Sequence, residues 1–162
     1  MDKDKILREH LLSLLKGGNA HMTLDEAVRS YPVSMINAKF PKGTYSSWYL
    51  LEHIRITQND ILDFVRNPKY KELEWPKEYW PPENKKATEK EWKKTTNQFN
   101  ADLKALQKIV LNPKTNLYAP ISWGKGQTIL REILLVTDHN AYHIGEFAIM
   151  RQTMGTWNKS RK

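Results

Sequence analysis

The chain has 162 residues, of which 40% are hydrophobic and 27% are charged, so we expect a single domain over residues 1–162 with a sizeable core. It contains no cysteine, which excludes disulfides, cysteine nucleophiles and thiolate metal ligands. It has no apolar run of about 18 residues and no signal-peptide pattern at its start, so we expect no membrane association and a cytoplasmic location.

The net charge of +8 raises nucleic-acid binding as a hypothesis, but the distribution of the charge argues against it. Residues 66–116 carry +5 and the tail, residues 151–162, carries +4, whereas the other segments are close to neutral. Lysine is mixed with glutamate in the stretch "ENKKATEKEWKK", a pattern typical of a solvated helix face. We therefore rank nucleic-acid binding through the lysine-rich middle and the tail last among the functions considered.

The N-terminal part of the chain predicts two helices. Apolar residues at helical spacing predict a helix from about residue 3 to residue 16, which the following glycines end. Thr23 and Glu26 then form a capping-box pattern and predict a short helix that ends near Ser30.

Three longer helices follow, and their predicted ranges are 46–66, 88–112 and 128–154. The first begins at Ser46 or Ser47, and the second begins at the capping-box pair Thr88 and Glu91. Residues 69–86 between them form an irregular loop rich in proline and aromatic residues. The only strand candidates, "YPVSMI" and "YAPIS", are short and carry proline. The sequence therefore predicts an all-α fold, and four substantial helices favour a four-helix bundle.

Two of the five histidines, His139 and His143, stand four residues apart in "DHNAYHIGEF" and share one face of the last helix. Burying neutral imidazoles without partners costs free energy, so two of them on a core-facing stripe need an explanation. His53 stands on the core-facing stripe of the helix predicted for residues 46–66. Three imidazoles from two helices can converge on one divalent ion and leave positions open for water or substrate, as in catalytic zinc sites.

The histidine spacing alone is a weak signal, and a set of hydrogen-bonded core histidines is the alternative interpretation. The segments that carry the three histidines, residues 46–65 and 128–150, each sum to −2 in a chain of +8, which suits a cation. Asp60, Asp138 and Glu146 are candidate acceptors for the ring N–H groups. Imidazole ligands suit several divalent metals, of which we expect zinc or nickel.

Other chemistry finds little support in the sequence. Asn140 stands where the zinc-protease motif H-E-x-x-H has its glutamate base, which argues against that class of protease. The chain also lacks the G-x-S-x-G motif of serine hydrolases. We expect the remaining histidines, His10 and His21, to be surface or packing residues.

Three segments of the chain resemble the DinB-like (DNA-damage-inducible, YfiT-like) metalloprotein superfamily: "SSWYLLEHIRITQNDIL", "EWPKEYWPP" and "PISWGKGQTILREILLVTDHNAYHIGEFAIMRQTMGTW". The resemblance implies an antiparallel four-helix bundle with a long crossover connection. It also implies a divalent metal ion held by His53, His139 and His143, and a homodimer formed through bundle helices. Characterised branches of the family transfer low-molecular-weight thiols such as bacillithiol, mycothiol or glutathione.

These observations favour a metal-dependent enzyme of stress response or detoxification, either a thiol S-transferase or a hydrolase, that acts on a small-molecule substrate. Asp60, Tyr142 and Glu146 are candidates to tune a proton at the site, but no catalytic residue is assigned. The alternative is a non-catalytic stress-response or interaction protein in which the metal serves structure or sensing.

Overall fold

The computed structural model describes residues 2–157, and these residues form five α-helices and no β-strand. The helices are α1 (Lys3–Lys16), α2 (Leu24–Val28), α3 (Ser47–Arg66), α4 (Glu89–Leu111) and α5 (Ile129–Thr153). The all-α prediction is therefore confirmed for this part of the chain. The end of the predicted basic tail, residues 158–162, lies outside the described residues.

Side-chain caps set the helix starts that the sequence predicts. Both capping boxes form: Thr23 and Glu26 bond each other's backbone N–H at the start of α2, and Thr88 and Glu91 do the same at the start of α4. The Thr128 hydroxyl accepts the backbone N–H of Arg131, the third residue of α5. These bonds satisfy donors that the first turn of a helix otherwise leaves unpaired.

Of the two predicted caps of α3, Ser46 is the one that forms, because its hydroxyl accepts the backbone N–H of the third helical residue. Other local details differ from the expectations. The short helix α2 ends at Val28, before Ser30, whose φ of 52° is incompatible with a continuing right-handed helix. The strand candidates form a 3₁₀ turn at Val33–Met35 and one isolated bridge between residues 120 and 128.

The core lies between α3 and the helices that pack against it. Helix α3 contacts α4 and α5, and α1 contacts the same two helices. One apolar cluster lies around Leu50, Leu51 and Ile54 of α3, and a second lies around Leu62 near the end of α3 and Leu106 of α4. Burial of these side chains is the dominant favourable contribution to folding.

Helices α3 and α4 run in the same direction. The Thr95 hydroxyl donates to Glu52 (2.7 Å), and further along both helices the Gln58 amide donates to the Phe99 carbonyl (2.8 Å). Because the residue numbers rise together, the connection between the helices, residues 67–88, has to return along the length of α3. We call these residues the crossover.

Helices α3 and α5 run in opposite directions. His53 lies against His143, and further along α3 the Gln58 side chain accepts a hydrogen bond from Asn140 (2.9 Å). The numbers rise on α3 and fall on α5, so the middle of α3 faces the middle of α5. This arrangement brings all three predicted metal ligands to one place.

Charged side chains on the solvent side of α4 pair locally. Lys93 contacts Glu89 one turn away, and Lys85 of the crossover contacts Glu91 (3.2 Å). Such pairs are typical of a solvated helix face and contribute little to stability. In the part of the chain that the structure describes, no helix has the length and apolar composition needed to cross a membrane.

Candidate metal centre

The side chains of His53, His139 and His143 converge between α3 and α5. The Nε2 atom of His53 lies 3.2 Å from the Nε2 atom of His143 and 3.2 Å from the Nε2 atom of His139. His53 is only 3% exposed, and the two histidines of α5 are partly buried. These three residues form the only group of potential ligands within residues 2–157 that is close enough to hold a metal ion.

Hydrogen bonds on the far side of two imidazole rings fix which nitrogen carries the proton. The Nδ1 atom of His53 lies 2.7 Å from the Tyr79 carbonyl oxygen, which can only accept, so Nδ1 is protonated and Nε2 has a free lone pair. The Nδ1 atom of His143 lies 2.8 Å from a Glu146 carboxylate oxygen, which orients that ring in the same way. Two lone pairs therefore face each other at the His53–His143 contact.

At neutral pH neither of these two nitrogens gains a proton that could form a hydrogen bond across the contact. Burial lowers the pKa of His53, and burial together with the nearby His53 lowers the pKa of His139 to about 4. Burial, followed by the neighbouring His139, lowers the pKa of His143 to about 3. A hydrogen on Nε2 of His139 can be donated to His53, but it leaves the repulsion between His53 and His143 in place. The arrangement is thus suited to a cation, because neutral imidazoles are the ligands that a divalent metal requires.

The spacing of the nitrogen atoms fits metal coordination. Two nitrogens held at 2.0–2.1 Å from a zinc ion at the tetrahedral angle are about 3.3–3.4 Å apart. The observed separations of 3.2 Å are close to that value. All three ligand nitrogens lie within 4.8 Å of one another, close enough to share one metal ion, and a set of three ligands leaves a further coordination position for water or substrate.

The crossover covers the triad from one side. The Trp80 ring is stacked on the His53 ring, with centroids 4.0 Å apart and planes inclined by 6°. The preceding residue, Tyr79, supplies the carbonyl that holds His53. Sequence reasoning missed both contacts, although the aromatic stretch "EWPKEYWPP" indicates a loop that packs on the protein.

Of the three predicted acidic acceptors, only Glu146 bonds directly to a ligand. Asp60 accepts hydrogen bonds from the hydroxyl groups of Tyr79 (2.8 Å) and Tyr70 (2.9 Å), so it contacts the crossover and not a histidine. Asp138 is exposed. Burial raises the pKa of Asp60 and of Glu146.

The third imidazole is held differently from the others. The Nδ1 atom of His139 is buried and makes no hydrogen bond among the described residues. Asn140 is buried, and its amide nitrogen donates to the side-chain oxygen of Gln58 (2.9 Å). His10 is exposed, and His21 is partly buried with its Nδ1 atom 2.8 Å from the Met22 carbonyl oxygen, as predicted for histidines outside the site.

A cavity of about 380 Å³ reaches the triad at His139. It lies between α3, α5, the crossover and the loop that precedes α5. Its walls combine aromatic, charged and apolar side chains, among them Asp60, Tyr70, Tyr79, Trp123, Arg131 and Leu135. Its size is within the range of small-molecule sites, and we call it the site cavity.

The charged side chains of the site cavity are largely paired with one another. Arg131 contacts the buried Glu132 (2.7 Å), and Lys125 approaches Glu72 of the crossover (4.0 Å). Burial, followed by the hydrogen bond to Asp60, raises the pKa of both Tyr70 and Tyr79, which keeps their hydroxyl groups protonated. The cavity therefore offers hydroxyl groups and aromatic surface next to a triad of neutral imidazoles.

Comparison with known proteins adds no relative to this picture: no protein-family model, no curated protein and no solved structure matches the chain. What bears on function is thus the geometry of the three histidines and of the site cavity. A buried cluster of His53, His139 and His143 that could hold a metal ion is the principal chemical feature of the described residues.

Proposed function

We propose that His53, His139 and His143 bind one divalent metal ion, zinc or nickel. The observation that carries the proposal is the contact of 3.2 Å between two Nε2 atoms whose ring partners, a carbonyl and a carboxylate, both leave them unprotonated. An isolated cluster of core histidines, the alternative interpretation, would place a donor against an acceptor at such a contact. A cation between the nitrogens removes the repulsion and accounts for all three orientations.

We further propose that the protein is a metal-dependent enzyme that acts on a small molecule. The site cavity supports this, because a metal kept only for structure needs no opening of about 380 Å³ beside one of its ligands. A bound divalent ion supplies Lewis acidity, by which water or a thiol loses its proton near neutral pH. Glu146 and the Tyr79 carbonyl orient two of the imidazoles, and the cavity wall positions the substrate next to His139.

Two reactions fit this arrangement. In the first, the sulfur of a low-molecular-weight thiol bonds to an electrophilic carbon, the leaving group departs with the bonding electrons, and the thiol proton goes to the solvent. In the second, water takes the place of the thiol and the substrate is hydrolysed. The thiol reaction is our first choice, on the basis of the family resemblance described above.

We propose that the chain is a DinB-like protein with a four-helix bundle of α1, α3, α4 and α5. Two features support the proposal: the parallel pair α3 and α4, which requires a long crossover, and the distribution of the three histidines over α3 and α5. Four-helix bundles with crossover connections commonly build metal sites from side chains on facing helices.

We also propose a homodimer formed through α5. Exposed apolar residues recur every seven residues on this helix, which places them on one face; they are Leu135, Tyr142 and Ile149. Tyr142 is 71% exposed and Ile149 is 65% exposed.

Light scattering after size exclusion should give twice the monomer mass for the wild type, and Ile149→Glu should reduce the measured mass. The matched control is Leu111→Glu on α4, which changes an apolar residue of similar exposure (58%) outside this face.

The metal proposal is tested by elemental analysis of protein purified without a histidine tag. We expect about one zinc or nickel ion per chain, and its loss in His143→Ala. The control is His10→Ala, which removes an exposed histidine of α1 and should retain the metal. A wild-type protein that takes up no divalent metal after incubation with zinc or nickel and desalting would refute the proposal.

The enzyme proposal is tested separately on the metal-loaded protein. A panel of bacillithiol, mycothiol and glutathione with a chromogenic aryl halide probes transfer, and a p-nitrophenyl ester probes hydrolysis. We expect turnover that disappears in His143→Ala and survives in His10→Ala. If removal of the metal lowers the melting temperature but neither assay shows turnover, the non-catalytic alternative is the correct one.

A further inference from the structure

We propose that Asp60 is a positioning residue that holds the crossover against His53, so that metal affinity depends on a carboxylate that touches neither the metal ion nor a ligand. The inference rests on the proposed metal site. It concerns one middle segment of the crossover and the way in which that segment is attached to α3.

The attachment consists of two hydrogen bonds to a single carboxylate. The Tyr70 hydroxyl donates to Oδ1 of Asp60 (2.9 Å), and the Tyr79 hydroxyl donates to Oδ2 (2.8 Å). Each oxygen thus accepts one phenol, and hydrogen bonds to an ionised acceptor are stronger than bonds between neutral groups. An asparagine at this position would offer one acceptor oxygen in place of two.

The two tyrosines bracket a segment with few other attachments. Residues 71–78 are exposed apart from Leu73, which is partly buried, so this part of the crossover has almost no apolar side chain in the core. The later part of the crossover is held independently, because Asn37 exchanges two hydrogen bonds with the backbone of Ala87 (2.8 Å each). Asp60 therefore fixes the middle of the crossover at both of its ends.

The end of this segment is the part that contacts the metal ligand. The carbonyl of Tyr79 lies 2.7 Å from Nδ1 of His53, and the ring of Trp80 is stacked on His53 at 4.0 Å. The carbonyl fixes the tautomer, and the indole fixes the plane of the imidazole. The Tyr79 side chain bonds to Asp60 while its backbone bonds to His53, so a displacement at Asp60 reaches the ligand through a single residue.

Tyr70 provides a matched comparison within the same network. Its hydroxyl bonds to the same carboxylate as that of Tyr79, and its ring also packs on Phe64 with centroids 5.0 Å apart. Its backbone, however, makes no hydrogen bond to a histidine. Loss of the Tyr70 hydroxyl should therefore disturb the exposed segment but leave the carbonyl of Tyr79 in place.

The test compares zinc dissociation constants, measured by competition with a chromophoric chelator, for Asp60→Ala, Tyr79→Phe and Tyr70→Phe. We expect Asp60→Ala to weaken zinc binding by about 10- to 100-fold, the usual effect of losing an orienting group behind a ligand. Tyr79→Phe should weaken it by a smaller factor, and Tyr70→Phe by less than about threefold on the same scale. If Asp60→Ala does not fold, the comparison of the two tyrosine variants decides the question.

A second readout separates positioning from general stability. Nitrogen NMR of the metal-free protein reports the tautomer of His53, which should be the Nδ1–H form in the wild type and in Tyr70→Phe, and a mixture in Asp60→Ala. Zinc affinities of Asp60→Ala and Tyr79→Phe within twofold of the wild type would overturn the proposal. So would equal losses of affinity in all three variants that simply follow their melting temperatures. A wild-type protein that binds no zinc refutes the metal site alone, because the tautomer measurement still decides the role of Asp60.

Discussion

Acidification should destabilise the metal-free protein through the same histidines that we propose as metal ligands. The pKa of His139 is lowered to about 4 and that of His143 to about 3, whereas an unfolded histidine has a pKa near 6.5. At a pH between the folded and the unfolded pKa values, these histidines are protonated in the unfolded chain and neutral in the folded chain. Because the unfolded state binds more protons, the free energy of unfolding rises with pH, and this stability is lost as the pH falls below about 6.5.

The size of the effect follows from the two values. At pH 5.5 both histidines are still neutral in the folded state. This pH is one unit below the pKa of an unfolded histidine, so each of the two residues lowers the free energy of unfolding by about 1.4 kcal/mol. The pair therefore accounts for about 3 kcal/mol between pH 7.5 and pH 5.5. For a chain of this size the melting temperature should fall by roughly 6–12 °C. His53, whose pKa is also lowered by burial, contributes in the same direction.

The assay is urea unfolding of the chelator-treated protein across that pH range, followed by circular dichroism. The control is the double variant His139→Ala, His143→Ala, which removes the two titrating groups and should therefore lose about 3 kcal/mol of the pH dependence. The reasoning is refuted if the wild-type stability is flat from pH 7.5 to pH 5.5, or if the double variant has the same slope as the wild type.

Three further predictions concern the surroundings of the site. Glu146→Gln replaces a charged acceptor behind His143 by a neutral one, so it should weaken zinc binding by about tenfold in the chelator competition. An unchanged zinc affinity would contradict the role of the carboxylate. Gln58→Leu leaves the buried amide of Asn140 without its partner (2.9 Å) and should cost about 2–3 kcal/mol in urea unfolding, so a loss below about 1 kcal/mol would argue against this bond. Leu135→Trp should fill the site cavity and abolish turnover without changing the metal content, whereas Leu134→Trp, at the neighbouring exposed position outside the cavity lining, should retain activity.

The helices could be predicted from the sequence because their signals are local. Helix α1 has the predicted bounds, and the capping boxes at Thr23 and Thr88 form as their spacing indicates. A cap depends on residues three positions apart, so the chain itself brings the partners together. The relative direction of α3 and α4 has no such local signal, because it depends on contacts between residues 41 or 43 positions apart.

The three histidines of the candidate site could likewise be predicted, since two share a helix face and the third lies on a core-facing stripe. Glu146 was predictable as an acceptor because it lies three residues from His143 on the same helix. The partners of His53 were not predictable in this way. Tyr79 and Trp80 belong to an irregular loop, in which neither periodicity nor spacing determines where a carbonyl or a ring points.

The position of the two ligand-bearing helices has a consequence for biosynthesis. His53 and His143, whose Nε2 atoms lie 3.2 Å apart, are separated by 90 residues of chain. A nascent chain that ends before α5 has one imidazole of the three and therefore lacks the chelating set. Binding at the proposed metal site would have to follow synthesis of α5, and a loaded site would indicate that α3, the crossover and α5 have already packed together.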